Sequence, residues 1–242
     1  MQNILVFGAT GAMGEAIARQ LTNDGASVFL AGRDEGALKK LASEIEAPFA
    51  TFDAMDDASV RQVIQTASAN TPLTGLIWAV GSILLKPLTK LTSDDFQNCF
   101  YLNVTAAALA IQEASASLRQ GQGAVLLFSS VAATQGFNAH GAISAAKAAV
   151  EGMAIAIATE LAPDVRVNVL APSLTDSKMA GPLLSNEMMA KGIAQAHPLR
   201  RVGQGRDFAP LASLLMDPAQ SGWITGSIIA VDGGRKSLRT KG

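Results

Sequence analysis

Seven short apolar runs punctuate this chain of 242 residues: NILVF at 3–7, SVFLA at 27–31, PFATF at 48–52, GLIWAV at 75–80, AVLLF at 124–128, VRVNVL at 165–170 and SIIAV at 227–231. They read as nearly continuous Val, Ile, Leu and Phe rather than as in-out alternation, the pattern of parallel strands covered on both faces. Between them lie longer segments of helical period at 14–25, 35–45, 57–69, 94–118 and 142–162. Strand-helix-strand repetition with right-handed crossovers leaves few folds open. The expectation is an α/β protein: one doubly wound parallel sheet of about seven strands, helices on both faces. With 49% hydrophobic residues and no linker or shift of composition, residues 1–242 are expected to form a single doubly wound domain.

Composition removes several classes of partner. A formal net charge of −1 gives no basic field for nucleic acid or anionic lipid. Cys99 is the only cysteine, and His140 and His197 are the only histidines, too few for a disulfide or a metal centre. The start of the chain lacks the pattern of a signal peptide, and the apolar runs fall short of the roughly 20 residues that cross a bilayer. A cytoplasmic protein with a small-molecule substrate is the expectation.

In open α/β sheets the ligand sits beyond the carboxyl ends of the strands. The first such end reads VFGATGAMGEAIA, with Gly8, Gly11 and Gly14 between a strand and a helix. Tight backbone there brings amides close to a pyrophosphate, whose charge the helix N-terminus stabilises. Thr10, Ala12 and Met13 complete that turn. The second strand ends Ala31-Gly32-Arg33, where an NAD site would place a carboxylate for the ribose hydroxyl. A cation suits a 2′-phosphate, so NADP(H) is favoured over NAD(H), with Asp34 left to cap the next helix. Asp53, at the end of the third strand, could meet an adenine amino group or cap a helix. The irregular stretch from Pro172 to Gly205 follows the sixth strand and reads as a substrate lid.

With these motifs in order, the chain resembles the short-chain dehydrogenase/reductase family along nearly its whole length. GATGAMG is similar to the family's glycine turn, NVTAAALA to the segment carrying its active-site asparagine, VLLFSSVAA to the strand end carrying its serine, and SAAKAAVEG to the helix carrying its lysine. The resemblance places those roles on Asn103, Ser130 and Lys147, and adds Ala79, Gly81, Pro172, Ser173 and Lys147 to the residues lining the cofactor. It also implies a homodimer or homotetramer, packed through the helix after Lys147 and the long helix around Asn103.

Three departures stand out. WAVG puts Trp78 and Ala79 where the family has paired asparagines, and PS puts Ser173 where it has glycine. The third bears on the chemistry: Ile143 stands four residues before Lys147, where the family's tyrosine exchanges a proton with the substrate oxygen. General acid catalysis is worth roughly a hundred- to ten-thousandfold. His140 lies seven residues before Lys147, a spacing similar to that of the tyrosine in enoyl reductases of the same superfamily. An imidazole titrating near 6.5 could take that role. Tyr101 reads as helix packing. Two functions follow: an NADP(H)-dependent oxidoreductase acting on a carbonyl, alcohol or activated alkene, or a nucleotide-binding pseudoenzyme without turnover. A lyase or isomerase on the same fold is a third. The terminal segment 235–242, with Arg235, Lys236, Arg239 and Lys241, reads as a solvated basic tail.

Overall fold

In the computed structural model, which describes residues 2–239, the seven apolar runs become β1 (Asn3–Phe7), β2 (Ser27–Gly32), β3 (Phe49–Thr51), β4 (Gly75–Trp78), β5 (Ala124–Phe128), β6 (Arg166–Pro172) and β7 (Ile228–Val231). All are parallel, in the order β3-β2-β1-β4-β5-β6-β7. The order reverses between β1 and β4, which opens a crevice at their carboxyl ends.

The intervening segments form α1 (Ala12–Asn23), α2 (Glu35–Ile45), α3 (Asp57–Ser68), α4 (Ser93–Phe100), α5 (Ala106–Gln120) and α6 (Gly141–Leu161). After β6 come α7 (Gly181–Leu184), α8 (Glu187–Gln195), α9 (Ala209–Met216) and α10 (Pro218–Ser221). Side chains of a strand alternate between faces, so β1 supplies two cores at once. Leu5 and Phe7 pack with Val60, Val63, Ala110 and Val150 of α3, α5 and α6. Ile4 and Val6 pack with Ile17, Leu21, Leu38, Ala212 and Leu215 of α1, α2 and α9. The doubly wound expectation is met.

Several local expectations are corrected. The segment 94–118 is not one regular helix, because a wider π-helical turn, Tyr101–Thr105, separates α4 from α5. Asn103 explains it: its side-chain Nδ2 donates to the Cys99 carbonyl at 2.8 Å, the acceptor that its own backbone N–H would take in an α-helix. The stretch 172–205 is not irregular, since it holds α7 and α8 and closes on itself through a bridge from Thr175 to Gly203. Nor are all runs too short for a bilayer: α6, with 21 residues and a mean hydropathy of 1.4, qualifies by length and composition. Here it packs against β6 and α4 and carries the buried Lys147.

The tail is also corrected. Arg235 donates to the Ala196 carbonyl at 2.7 Å, and Gln135 donates to the carbonyls of Arg235 and Lys236, so these residues belong to the folded body. Arg239 is exposed as expected, and Lys241 lies outside the described residues.

Candidate active site

The glycine turn is built by close approach. Gly8 adopts φ +75°, and a Cβ on it would come 2.5 Å from the Ala79 carbonyl oxygen at the end of β4. A Cβ on Gly14 would come 2.2 Å from the Gly8 carbonyl oxygen. Only glycine fits either position. Gly11 begins α1 without any side-chain cap, so the first amides around Ala12 and Met13 stay open toward the crevice. Thr10 lies against Gly32 at the end of β2.

Arg33 follows Gly32, exposed, and among the described residues no carboxylate pairs with it. Asp34 caps α2, accepting from Ala37 N at 3.0 Å. Asp53 lies two residues past β3, and its Oδ1 takes the Met55 amide at 2.9 Å. It does not cap α3, which Asp56 does. These features fit a dinucleotide: an uncapped helix terminus for a pyrophosphate and a free cation beside the second strand for a 2′-phosphate.

A second group of side chains meets one strand further along. Lys147 sits two turns into α6, buried, with Nζ donating to the Phe128 carbonyl at 2.9 Å. Burial pushes its ammonium down from 10.5 to about 8, because the apolar surroundings penalise the charge. Asn103, held in its π-turn, gives Nδ2 to Cys99 O and to Ser82 Oγ at 3.1 Å. Its Oδ1 is left buried without a partner. A Cβ on Gly81 would come 2.9 Å from that Oδ1 and 3.2 Å from Lys147 Nζ, so both atoms border the same small space. An orphaned buried acceptor beside a buried cation marks a place for a donor, from water or ligand.

Ser130 stands just beyond β5, half-buried. Its Oγ accepts from Ala132 N at 3.1 Å, which leaves its own proton free to donate. Its neighbour Ser129, which the sequence reading passed over, ties α6 to the strand end. The hydroxyl lies 2.7 Å from a Glu151 carboxylate oxygen and 3.0 Å from the Lys147 carbonyl.

Ile143 is 5% exposed and belongs to the apolar core under α6. Tyr101 donates to Asp57 on the outer surface, which makes it a helix-packing residue and no part of this group. His140, at the N-cap of α6, makes no cap bond. Its Nδ1 lies 2.7 Å from Asn138 O and its ring 5.2 Å from that of Phe137. A carbonyl only accepts, so Nδ1 carries the proton and Nε2 is the free nitrogen.

Pro172 ends β6, buried, and Ser173 follows it, half-exposed. Ser173 Oγ is 2.7 Å from His197 Nε2, and His197 Nδ1 is 2.8 Å from Ile193 O. His197 is 3% exposed. Sequence reasoning left this histidine without a role, because 24 residues separate the partners.

Comparison with known proteins finds relatives along nearly the whole chain. Residues 8–236 match the family model described as enoyl-(acyl carrier protein) reductase. The chain is 34% identical over 241 residues to a tropinone reductase homologue of Arabidopsis thaliana, covering 96% of this chain and 92% of that one. It is 32% identical over 235 residues to the 3-oxoacyl-(acyl-carrier-protein) reductase MabA of Mycobacterium tuberculosis, covering 96% and 92%. Among solved structures, a blue fluorescent protein from a metagenomic library, in complex with NADPH, superposes with a TM-score of 0.89 at 28% identity, covering 98% of both chains.

Proposed function

The chain belongs to the short-chain dehydrogenase/reductase family, and from that premise we propose that it is an NADP(H)-dependent oxidoreductase acting on a small or medium carbonyl, alcohol or activated alkene. The observation that carries this is the convergence of buried Lys147 and the orphaned Asn103 Oδ1 on Gly81, one strand from the glycine turn. Gly8, Thr10, Gly11, Ala12, Met13 and Gly14 cradle the pyrophosphate. Arg33 meets the 2′-phosphate and Asp53 the adenine, while Ala79, Gly81, Pro172 and Ser173 border the rest of the nucleotide. The NADPH held by a 28% identical structure supports the choice of cofactor.

The cofactor supplies or accepts hydride, and the protein handles the oxygen and its proton. Ser130 has its O–H proton free to donate to a carbonyl oxygen. Lys147 keeps two N–H donors beyond the one given to Phe128. The proton comes from His140 in its protonated form, given from Nε2 while Nδ1–H stays on the Asn138 carbonyl. The stretch 172–205 closes over the substrate: α8 buries none of its residues, and Met188 is 85% exposed. The same reading takes a small-molecule substrate, no nucleic acid and no membrane, a cytoplasmic setting, and a homodimer or homotetramer.

The test is NADPH oxidation with a panel of ketones, aldehydes and activated alkenes. Wild type turns over at least one of them, and Lys147→Ala and His140→Ala each lose on the order of a hundredfold or more. Full activity in His140→Ala removes the histidine from the reaction.

The burial of Ile143 where the family carries a phenol favours a second reading, a nucleotide-binding pseudoenzyme. It expects NADPH to bind without being consumed by any substrate, and Ile143→Tyr to gain turnover. Turnover by the unmodified chain ends it.

A further inference from the structure

We propose that Arg235 is a positioning residue for His140 and acts through the ring of Phe137. Its consequence for catalysis rests on the oxidoreductase reading above, which takes the proton from His140.

His140 is lightly held by its own segment. Its Nδ1 meets the Asn138 carbonyl, only two residues away, at 2.7 Å, and it makes no cap bond to α6. A bond within one loop leaves that loop free to carry the imidazole with it. Residues 134–140 form neither helix nor strand. Ala139 sits at φ +62°, in the left-handed region that a residue with a Cβ seldom takes. Such a conformation persists where its surroundings impose it. On one side the Lys86 amide donates to the Ala139 carbonyl at 2.9 Å.

The hold on the other side centres on Arg235. Gln135 Nε2 donates to the carbonyls of Arg235 and Lys236 at 3.2 and 3.1 Å. The Arg235 guanidinium lies over the Phe137 ring, 5.7 Å from Cζ to the centroid. That ring in turn lies 5.2 Å from the imidazole, tilted by 43°. Arg235 is itself anchored: a guanidinium nitrogen donates to the Ala196 carbonyl at 2.7 Å, and its backbone amide donates to the Asp232 carbonyl at 3.1 Å. A guanidinium suits this double duty, because it keeps several N–H donors for carbonyls while its charge meets an aromatic face. Fixed by Ala196, it fixes Phe137, and Phe137 fixes the imidazole.

The anchor also reaches the segment that closes over substrate in the reading above. Ala196 directly follows α8, within 172–205. One side chain therefore ties that segment to the loop bearing the proton donor.

The experiment has a structural and a kinetic arm, both on the full chain. In a deuterated chain with only the histidine and phenylalanine rings protonated, wild type shows a nuclear Overhauser contact between the His140 and Phe137 rings, assigned through His140→Ala and Phe137→Leu. Arg235→Leu loses that contact and keeps its helical content. In NADPH oxidation, Arg235→Leu loses about three- to tenfold in kcat with KM and NADPH affinity little changed, between the worth of a cation–π contact and that of a whole acid. Phe137→Leu, which leaves the C-terminal segment untouched, loses as much, and Phe137→Tyr, which restores the ring, recovers most of it. In a His140→Ala background Arg235→Leu costs nothing further. A ring contact that persists in Arg235→Leu overturns the proposal. So does an unchanged kcat, a loss confined to KM, or a loss as large without His140 as with it. Those results leave the oxidoreductase reading standing. If wild type turns over no substrate, or His140→Ala is fully active, that reading falls instead, and the ring contact alone decides whether Arg235 places the imidazole.

Discussion

Lys147, to which the proposed function gives a part in the chemistry, carries a cost in stability. Its ammonium titrates at about 8 in the fold, against 10.5 for an ordinary lysine, because burial opposes the charge. Between those two values the unfolded chain binds more protons than the folded one, so stability rises with pH through that window. The penalty is full below about pH 8, amounts to about 3 kcal/mol, and fades as the pH approaches that of free lysine. Lys147→Met removes the titration. The variant is expected to exceed wild type in urea midpoint at pH 7, less whatever is lost with the Phe128 hydrogen bond, and the gap is expected to shrink by pH 10. A gap that does not change with pH would show that burial is not what holds this lysine down. At this scale the placement of a residue was readable wherever spacing along one strand or helix sets it, as for Ser130 just beyond β5 and Lys147 inside α6. The sequence was silent about His197, whose partner is set by the closure of a loop.

At the scale of elements, the crevice depends on how closely backbone can approach backbone. Gly14 lets the first turn of α1 rest on the Gly8 carbonyl, and a Cβ on Gly205 would come 2.0 Å from the Ala12 carbonyl oxygen on the far side of that turn. The first turn of α1 is thus held between two glycines, neither of which can give. Gly14→Ala and Gly205→Ala are each expected to destabilise the fold by about 1–3 kcal/mol or more and to weaken NADPH binding. Gly192→Ala is the control: its Cβ would meet nothing within 4 Å in the middle of α8, so helix propensity alone acts and stability rises by about 0.5–1 kcal/mol. If Gly14→Ala matched that control in midpoint and affinity, the tight-approach account of the turn would be wrong. The turn was legible because glycine spacing is a local signal. The π-turn at Asn103 was not, because it arises when a side chain outcompetes the backbone for the Cys99 carbonyl, and residue type alone does not reveal that contest.

For the whole molecule, α6 poses the open packing question. Its inner face lies on β6 and α4, while Ala145, Ala148, Gly152, Ile155 and Thr159 run along its outer face in steps of three and four, all exposed. Ile155 is 49% exposed, and on neighbouring α4 Phe96 is 41% and Phe100 46% exposed. Small residues in that spacing let a second helix approach closely, and the apolar rim gives it surface to bury. The proposed homo-oligomer would give this apolar outer face an occupant, a second copy of the chain. In that proposal a two-fold axis beside α4 and α6 would make the same patch face its own image, the usual geometry of a homodimer. Sedimentation is expected to give a dimer or tetramer, with Ile155→Lys and Phe100→Glu each shifting it toward monomer while leaving helical content and urea midpoint near those of the isolated subunit. Trp223, wholly exposed between α10 and β7, offers a second apolar contact. Trp223→Ser is expected to reduce a tetramer to a dimer and to leave a dimer unchanged. A wild-type chain that sediments as a monomer at tens of micromolar would refute the assembly, and the outer face of α6 would then need another occupant.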